Sequence, residues 1–536
     1  MVRNCFPPGN KMEKISAVSF LLLLGITLAS MVPLNCNTNR PISKVGDYLA
    51  ERQKLIAEDA AQRTGQQIIL TDKEKKANDI LMAWKRKELD AAFTSGKFIG
   101  AESFITTKTK IVQSKVFQII KKMPKGADLH LHDMTVADFK WLISNITTLD
   151  SCYMCYNMAT KLTQFKVSFK QPNSTATCEW ISTPMARKKS GDPKKFDEEL
   201  FTNLTMTNGD PSKLYPTQNA RWVKFQSVFY ILSGLLEFKN AFSWYYEKGL
   251  EELVEDNIQY AELRALLFPL HDGNGKIYSD PEYVLNLYKN VTDAFVAKNP
   301  NDFFGTKIIY TQTRFLERKV IGQAVQKAMY MHKKYPDLMA GFDLVGQEDR
   351  GNPLLYYLNE LLIPAAAGES LPYYFHAGET SWEGQSVDYN IVDALLLNTR
   401  RIGHGFALSK HKVLMDQAKS KSVAVEVCPI SNQVLGLVTD MRSHPATVFL
   451  DQNFPMTVNS DDPPIWGATG LSYDYYHVFM AMTRYDTDIR VLKQLALNSI
   501  MYCSLEKSRK AKLRAMWTRK WDEFISTVIS DFSFPT

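Results

Sequence analysis

The sequence predicts an α/β protein whose main body is a (β/α)8 TIM barrel, preceded by a helical region and carrying a subdomain inserted between strands 1 and 2. Three observations lead there. From residue 125 onward, short apolar runs alternate with helix-patterned stretches, the pattern of strands joined by crossover helices. The runs number eight, the count that closes such a sheet on itself. Histidines and carboxylates collect at the ends of these runs, and barrel enzymes build their sites at the C-terminal ends of the strands.

Taken in order, the chain opens on a targeting signal. Ile15 to Leu34 carries no charge, Lys11 and Lys14 precede it, and Thr27-Leu28-Ala29 supplies small residues near its end. This reads as a secretory signal peptide over residues 1–30, with Met12 as an alternative start. The rival is an uncleaved anchor, because the uncharged run approaches the length of a membrane span. Residues 40–120 read as helices. Thr71-Asp72-Lys73-Glu74 is a capping box, and Ile80, Leu81, Trp84, Leu89 and Phe93 then recur at helical spacing. Such a helix either packs on its own domain or forms an arm against a partner subunit.

The eight strands are expected at Ala127–Asp133, Gln259–Leu267, Thr306–Arg314, Met339–Gly346, Pro372–Glu379, Arg401–Phe406, Val423–Pro429 and Met456–Ser460. Helical patterns fill most intervals, among them Pro281–Lys298, Val320–Tyr335 and Pro353–Ala367. The interval over residues 134–258 is far longer than a usual crossover. Its residues 140–215 are read as the inserted subdomain, with sequons at Asn145, Asn173 and Asn203. A fourth sequon is Asn290. Of seven cysteines, Cys152, Cys155 and Cys178 cluster in the insertion. In an oxidising compartment one local disulfide is expected there, Cys155–Cys178, with Cys152–Cys178 as the alternative. Cys428 and Cys503 sit in apolar runs and read as core thiols.

Composition sets the outer bounds. At 536 residues and 45% hydrophobic, the chain can bury a large core and hold more than one domain. Its net charge of +7, from 64 Lys+Arg against 57 Asp+Glu, is a mild excess. That permits attraction to acidic glycans or membrane surfaces. With no zinc-finger spacing, basic arm or aromatic–basic stretch, it argues against a nucleic-acid partner.

The strand ends carry the chemistry. His130-Leu131-His132 ends the first strand, and residues i and i+2 of a strand share a face, about 7 Å apart. Alone, such a pair is more often surface or hydrogen-bonded core. The fifth strand ends His376-Ala377-Gly378-Glu379, the sixth gives His404, and the eighth ends Ser460-Asp461-Asp462-Pro463. His130, His132, His376 and Asp461 can converge on the barrel axis as ligands of a catalytic zinc with one position open to water. Zinc brings that water's pKa near neutrality. His404 can orient the water or take its proton, Glu379 can act as general acid, and Asp462 can hydrogen-bond a substrate. A buried His is often merely hydrogen-bonded, and Asp-Asp-Pro is a common turn. All of these residues at strand ends together are harder to explain so.

The motifs MPKGADLHLHD, GFDLVGQED, FHAGET, RIGHGFALSKH, EVCPISNQVL and SDDP together resemble the adenosine deaminases, most closely the secreted adenosine deaminase-related growth factors. The resemblance covers nearly the whole mature chain. It implies one Zn2+ per subunit held by His130, His132, His376 and Asp461. It implies that adenosine, and 2′-deoxyadenosine as a second substrate, is hydrolysed to inosine and ammonia by zinc-activated hydroxide attack at C6. Glu379 would protonate purine N1 and His404 would assist the hydroxide. Asp462 would hold the purine edge, the Gly346 N–H would meet N3, and Asp133 and Trp222 would contact the ribose side. Glu262 and Arg264 are left as structural. A homodimer is implied, held by a helical dimerisation and growth-factor region over residues 31–120 ahead of a catalytic barrel over residues 121–536. Receptor or glycosaminoglycan binding through the insertion is implied too. The competing readings are a signalling protein with incidental catalysis and an amidohydrolase acting on AMP. The second is opposed by the lack of an Arg/Lys cluster beside the strand ends.

Overall fold

The computed structural model describes residues 42–533, so the expected signal peptide, with Cys5 and Cys36, lies outside the described residues. These residues fall into two units that divide after Asp59. The first holds most of the helix Val45–Ala61, along which Val45, Tyr48, Leu49 and Leu55 are exposed.

The second unit is built on the barrel. Its strands are β1 (Gly126–His132), β2 (Ile258–Ala265), β3 (Gly305–Thr313), β4 (Met339–Val345), β5 (His376–Ala377), β6 (Arg401–His404), β7 (Ala424–Val427) and β8 (Met456–Val458). They pair in parallel and in chain order as two halves, β1–β4 and β5–β8. Parallel bridges join the halves at both edges. At one seam Phe342 N–H donates to Pro372 O and Tyr374 N–H to Phe342 O, each at 3.0 Å. At the other, Asp461 N–H donates to His130 O at 2.9 Å and His132 N–H to Asp461 O at 3.0 Å. The first seam needs a glycine, since a Cβ on Gly341 would lie 2.1 Å from Pro372 O. The second seam threads through the expected site, so the backbone of His130, His132 and Asp461 closes the sheet at the place where their side chains meet.

All eight expected strands are present, with ends shifted by a few residues. The largest change is β5, where only His376 and Ala377 pair as a strand and Tyr373 makes an isolated bridge. Helix Pro281–Lys298 forms as expected, capped by Asp280. The expected helix at Val320–Tyr335 runs Arg318–Lys334. The expected helix Pro353–Ala367 instead breaks into three short turns, Leu354–Tyr357, Leu358–Leu361 and Ile363–Ala366. Pro364 explains the break, because it brings no N–H to the preceding turn and its ring crowds that turn's carbonyl.

The helix Asp72–Ser95 begins at the expected capping box, with Thr71 N–H donating to Glu74 Oε2 at 2.9 Å. It packs on its own unit. Ala77, Leu81 and Met82 are buried, and Trp521 Nε1 of the C-terminal helix Lys507–Asp531 donates to Glu74 Oε1 at 2.8 Å. Phe93, read as part of the apolar stripe, is 91% exposed.

The insertion has its own small antiparallel sheet, Cys152–Asn157, Leu162–Val167 and Ile181–Ser182. Cys155 and Cys178 are disulfide-bonded across it, as expected. Cys152 is a buried free thiol that accepts a hydrogen bond from Thr183 Oγ1 at 3.4 Å, so the alternative pairing is not formed. Cys428 and Cys503 are buried free thiols. Gly234 lets helix Gln218–Leu236 lie directly on the insertion, since a Cβ there would meet Phe165 O at 1.9 Å. The four sequon residues Asn145, Asn173, Asn203 and Asn290 are exposed.

Candidate active site

The C-terminal ends of the strands converge on one cavity of about 410 Å3. His132 and Asp133 reach it from β1, His376 and Glu379 from β5, His404 from β6, and Asp461 and Asp462 from beyond β8. Gly346 lines it just after β4, at φ +100°, and Trp222 enters from helix Gln218–Leu236. His130 lies beneath and is fully buried. Phe225, Phe229, Phe315 and Leu435 add apolar wall. All ten expected catalytic, metal and substrate positions therefore meet at this one place.

Two groups of side chains that could hold a metal share Asp461. The donor atoms of His130, His376, His404 and Asp461 lie within 4.8 Å of one another, as do those of His132, Asp461 and Asp462. His130 Nε2 and His132 Nε2 approach Asp461 Oδ1 at 3.4 and 3.2 Å, and His404 Nε2 is 3.7 Å from Asp461 Oδ2. Burial works against the Asp461 charge, but the imidazoles of His130, His132 and His404 around it hold its carboxyl well below the usual range. His404 (φ +59°) and Asp461 (φ +62°) both sit in the left-handed region, which non-glycine residues enter at a cost and which clusters at functional sites.

Behind the histidines stands a second layer that the strand-end reading missed. His130 Nδ1 donates to Glu426 Oε2 at 2.8 Å and His376 Nδ1 to Asp343 Oδ2 at 2.6 Å. One guanidinium ties the two carboxylates together. Arg264 Nη2 donates to Glu426 Oε2 at 2.6 Å, and its Nε to Asp343 Oδ2 at 2.8 Å. Arg264 is thus no mere structural residue. It orients both histidine–carboxylate pairs and also lines the cavity. Glu262 keeps a structural place, holding Arg401 Nη2 at 2.7 Å, while Arg401 Nε donates to Glu426 Oε1 at 2.5 Å. The available signal was charge inside runs that otherwise read as buried strands: Glu262 and Arg264 in β2, Asp343 in β4, Glu426 in β7. Buried charges are rarely kept without partners.

With both Nδ1 atoms tied to carboxylates, His130 and His376 are left to present Nε2 to the cavity, the arrangement metal-bound histidines usually show. His130 Nε2 is buried without a hydrogen-bond partner. Burial pushes His376 down to about 3, which keeps its ring neutral and able to ligate. Imidazole and carboxylate donors around one point suit a borderline divalent cation, so the residues fit a metal. Asp343→Asn should weaken metal retention by roughly 10–100-fold, the usual cost of losing such an outer partner. Competition against a chelating dye would measure it, with circular dichroism confirming the fold.

Burial shifts the remaining carboxyls upward. Burial, reinforced by the charges of Asp461 and Glu348, raises Glu379 well above the usual carboxyl range. Its backbone N–H is anchored on Glu348 Oε2 at 2.5 Å, and its own Oε1 is buried without a hydrogen-bond partner. Burial and the Asp461 charge raise Asp462, which accepts from Thr135 Oγ1 at 2.6 Å. Burial raises Asp133 to about 6, and its Oδ2 accepts from Tyr288 OH at 2.6 Å. Trp222 is 5% exposed and stands edge-on to Phe225, ring centres 5.2 Å apart.

Comparison with known proteins agrees with this geometry. The profile of the adenosine deaminase family matches residues 202–518, and that of the adenosine/AMP deaminase N-terminal region matches residues 26–120. The chain belongs to the adenosine deaminase family. Adenosine deaminase 2 of Homo sapiens is 41% identical over 478 residues, covering 89% of this chain and 93% of that one. An adenosine deaminase of Phlebotomus duboscqi is 38% identical over 509 residues, covering 94% and 97%. Among solved structures, an adenine deaminase from Arthrobacter aurescens shares the barrel fold (TM-score 0.53, 21% identity, 75% of this chain and 99% of that one). As a member of the adenosine deaminase family the protein is a metal-dependent hydrolase acting on nucleosides or nucleotides, and its His/Asp cluster fits a metal site.

Proposed function

We propose that the protein is a secreted, zinc-dependent adenosine deaminase that converts adenosine and 2′-deoxyadenosine to inosine or deoxyinosine and ammonia. The observation that carries this is Glu379: a buried carboxyl, raised well above the usual range, with an oxygen that has no hydrogen-bond partner, 3.7 Å from His404 Nε2, in the cavity that holds the His/Asp cluster. Zinc held by His130, His132, His376 and Asp461 would supply hydroxide near neutral pH. Glu379 gives its proton to N1 as the attacking oxygen bonds to C6, which draws electron density from the ring. Glu379, now a carboxylate, takes the proton from the added C6 oxygen and passes it to the amino group, so that C6=O forms as the C6–N bond breaks and ammonia leaves. Asp462 and the Gly346 N–H hold the purine edge, and Asp133 and Trp222 meet the ribose. Phe225, Phe229 and Phe315 exclude water around the base.

The substrate test is a spectrophotometric comparison of adenosine with AMP. Adenosine is expected to turn over and AMP not. Arg264, which lines the cavity, is already engaged by Asp343 and Glu426, which leaves no free cation for a phosphate among the described residues of the lining. Turnover of AMP alone would reject the nucleoside assignment.

Secretion accords with the N-terminal signal, the Cys155–Cys178 bridge and the exposed sequons at Asn145, Asn173, Asn203 and Asn290. Among the described residues no helix is long and apolar enough to cross a membrane. We further propose a homodimer formed by the helical region over residues 31–120, and a role for residues 140–215 in binding a cell-surface receptor or glycosaminoglycan. Exposed Tyr156, Met158 and Phe169 on the insertion favour a protein contact there.

A further inference from the structure

Behind His404, on the side away from the cavity, a buried chain of polar side chains runs to a fixed backbone donor. The N–H of Ala446 donates to His444 Nδ1 at 3.0 Å. A ring nitrogen that accepts a hydrogen bond carries no proton, so neutral His444 is protonated at Nε2. That nitrogen lies 3.0 Å from Asn432 Oδ1 and donates to it. The amide of Asn432 is thereby oriented with its NH2 group towards His404, its Nδ2 lying 3.2 Å from His404 Nδ1. Nδ1 of His404 is then an acceptor, and the ring's proton is on Nε2. Orientations of amides and imidazoles are assigned from their partners, and here the assignment starts from a peptide N–H, which cannot reverse.

The chain is well held. Asn432 and His444 are 0% and 2% exposed, and Phe406 stands edge-on to the His444 ring at 5.3 Å. Burial pushes His444 down to about 3, so it stays neutral at working pH. At the other end, His404 Nε2 faces Glu379 Oε1 and Asp461 Oδ2, each 3.7 Å away. Asn432 comes from the turn of helix Pro429–Val434 that follows β7, and His444 from the loop before helix Ala446–Asp451.

We infer that Asn432 and His444 are positioning residues that hold His404 as its Nε2–H tautomer, so that at the reacting centre His404 donates a hydrogen bond to the attacking oxygen. No proton transfer passes through His404. Of the two roles open to it, orienting the water or taking its proton, the hydrogen-bond chain selects the first. A donor fixed in advance where charge develops lowers the barrier without reorganisation during the reaction. This inference rests on the deaminase reading of the site.

The test is nitrogen NMR of histidine-labelled full-length protein, whose ring shifts distinguish the two tautomers, with His404 assigned by His404→Gln. The wild-type ring is expected to be protonated at Nε2. Asn432→Asp replaces the donor facing Nδ1 by an acceptor and is expected to move the proton to Nδ1. It should lower kcat on the order of 100-fold, as loss of one preorganised donor does, with KM changed less than about 2-fold because ground-state binding is untouched. His444→Gln can still donate to Asn432 and should keep both the tautomer and most of the rate. His444→Leu cannot, and should lose both. A wild-type His404 protonated at Nδ1, or an Asn432→Asp enzyme that keeps the Nε2 proton, would overturn the inference. The tautomer is read without turnover, so failure of wild type to deaminate adenosine would instead count against the proposed function.

Discussion

Replacing Glu379 by Gln is expected to lower the rate of adenosine deamination by roughly 10²–10⁴-fold while leaving bound metal in place. That range is what a positioned general acid contributes. The physical basis is the environment of the carboxyl. Burial, with Asp461 and Glu348 adding like charge, raises Glu379 well above the usual carboxyl range, the direction a general acid needs. Glutamine has nearly the same shape and can still donate a hydrogen bond, but it cannot hand over a proton. A drop in kcat with little change in KM would mark the loss as one of chemistry. The sign of the pH dependence follows from the same shift. The acid must be protonated to act, so activity is full below its raised pKa and falls as pH rises through it. The Gln variant should lack that basic limb. A variant that kept wild-type kcat would remove Glu379 from the mechanism.

Replacing Asp461 by Ala should have the second large effect: loss of tight metal retention and loss of activity by on the order of 10³-fold or more, beyond the roughly 10–100-fold cost of an outer partner. Asp461 is where the site is knitted together. Its carboxylate meets His130 Nε2, His132 Nε2 and His404 Nε2, while its backbone closes the barrel seam against His130 and His132. Alanine removes the first set of contacts and keeps the second. The fold should therefore survive with the metal lost, which metal analysis beside a thermal melt would separate. Asp461→Ala protein that retained stoichiometric metal through dialysis would contradict the ligand assignment.

Much of this molecule was legible in its sequence because buried parallel strands are written as compact apolar runs, and all eight could be located. The site could be read because a barrel places its chemistry at strand ends, where His130, His132, His376, Glu379, His404, Asp461 and Asp462 are visible as polar residues following apolar ones. What could not be read depends on which strand faces which across the closed sheet. Arg264 reaches Asp343 and Glu426 only because β2, β4 and β7 meet around the interior, 79 and 162 residues apart in the chain. His444 lies in a loop, and only its contact with Asn432 ties it to His404. The helical pattern over Pro353–Ala367 is interrupted for a local reason, the Pro364 ring within it. Phe93 shows the converse: helical spacing locates a stripe without saying where along the helix the packing partner ends.

The most direct test of the central claim is the deamination of adenosine by purified full-length protein before chelation, after it, and after zinc is returned. Full activity, its loss to background, and its recovery with about one zinc per chain are expected. Undiminished deamination by demonstrably metal-free protein would contradict the account.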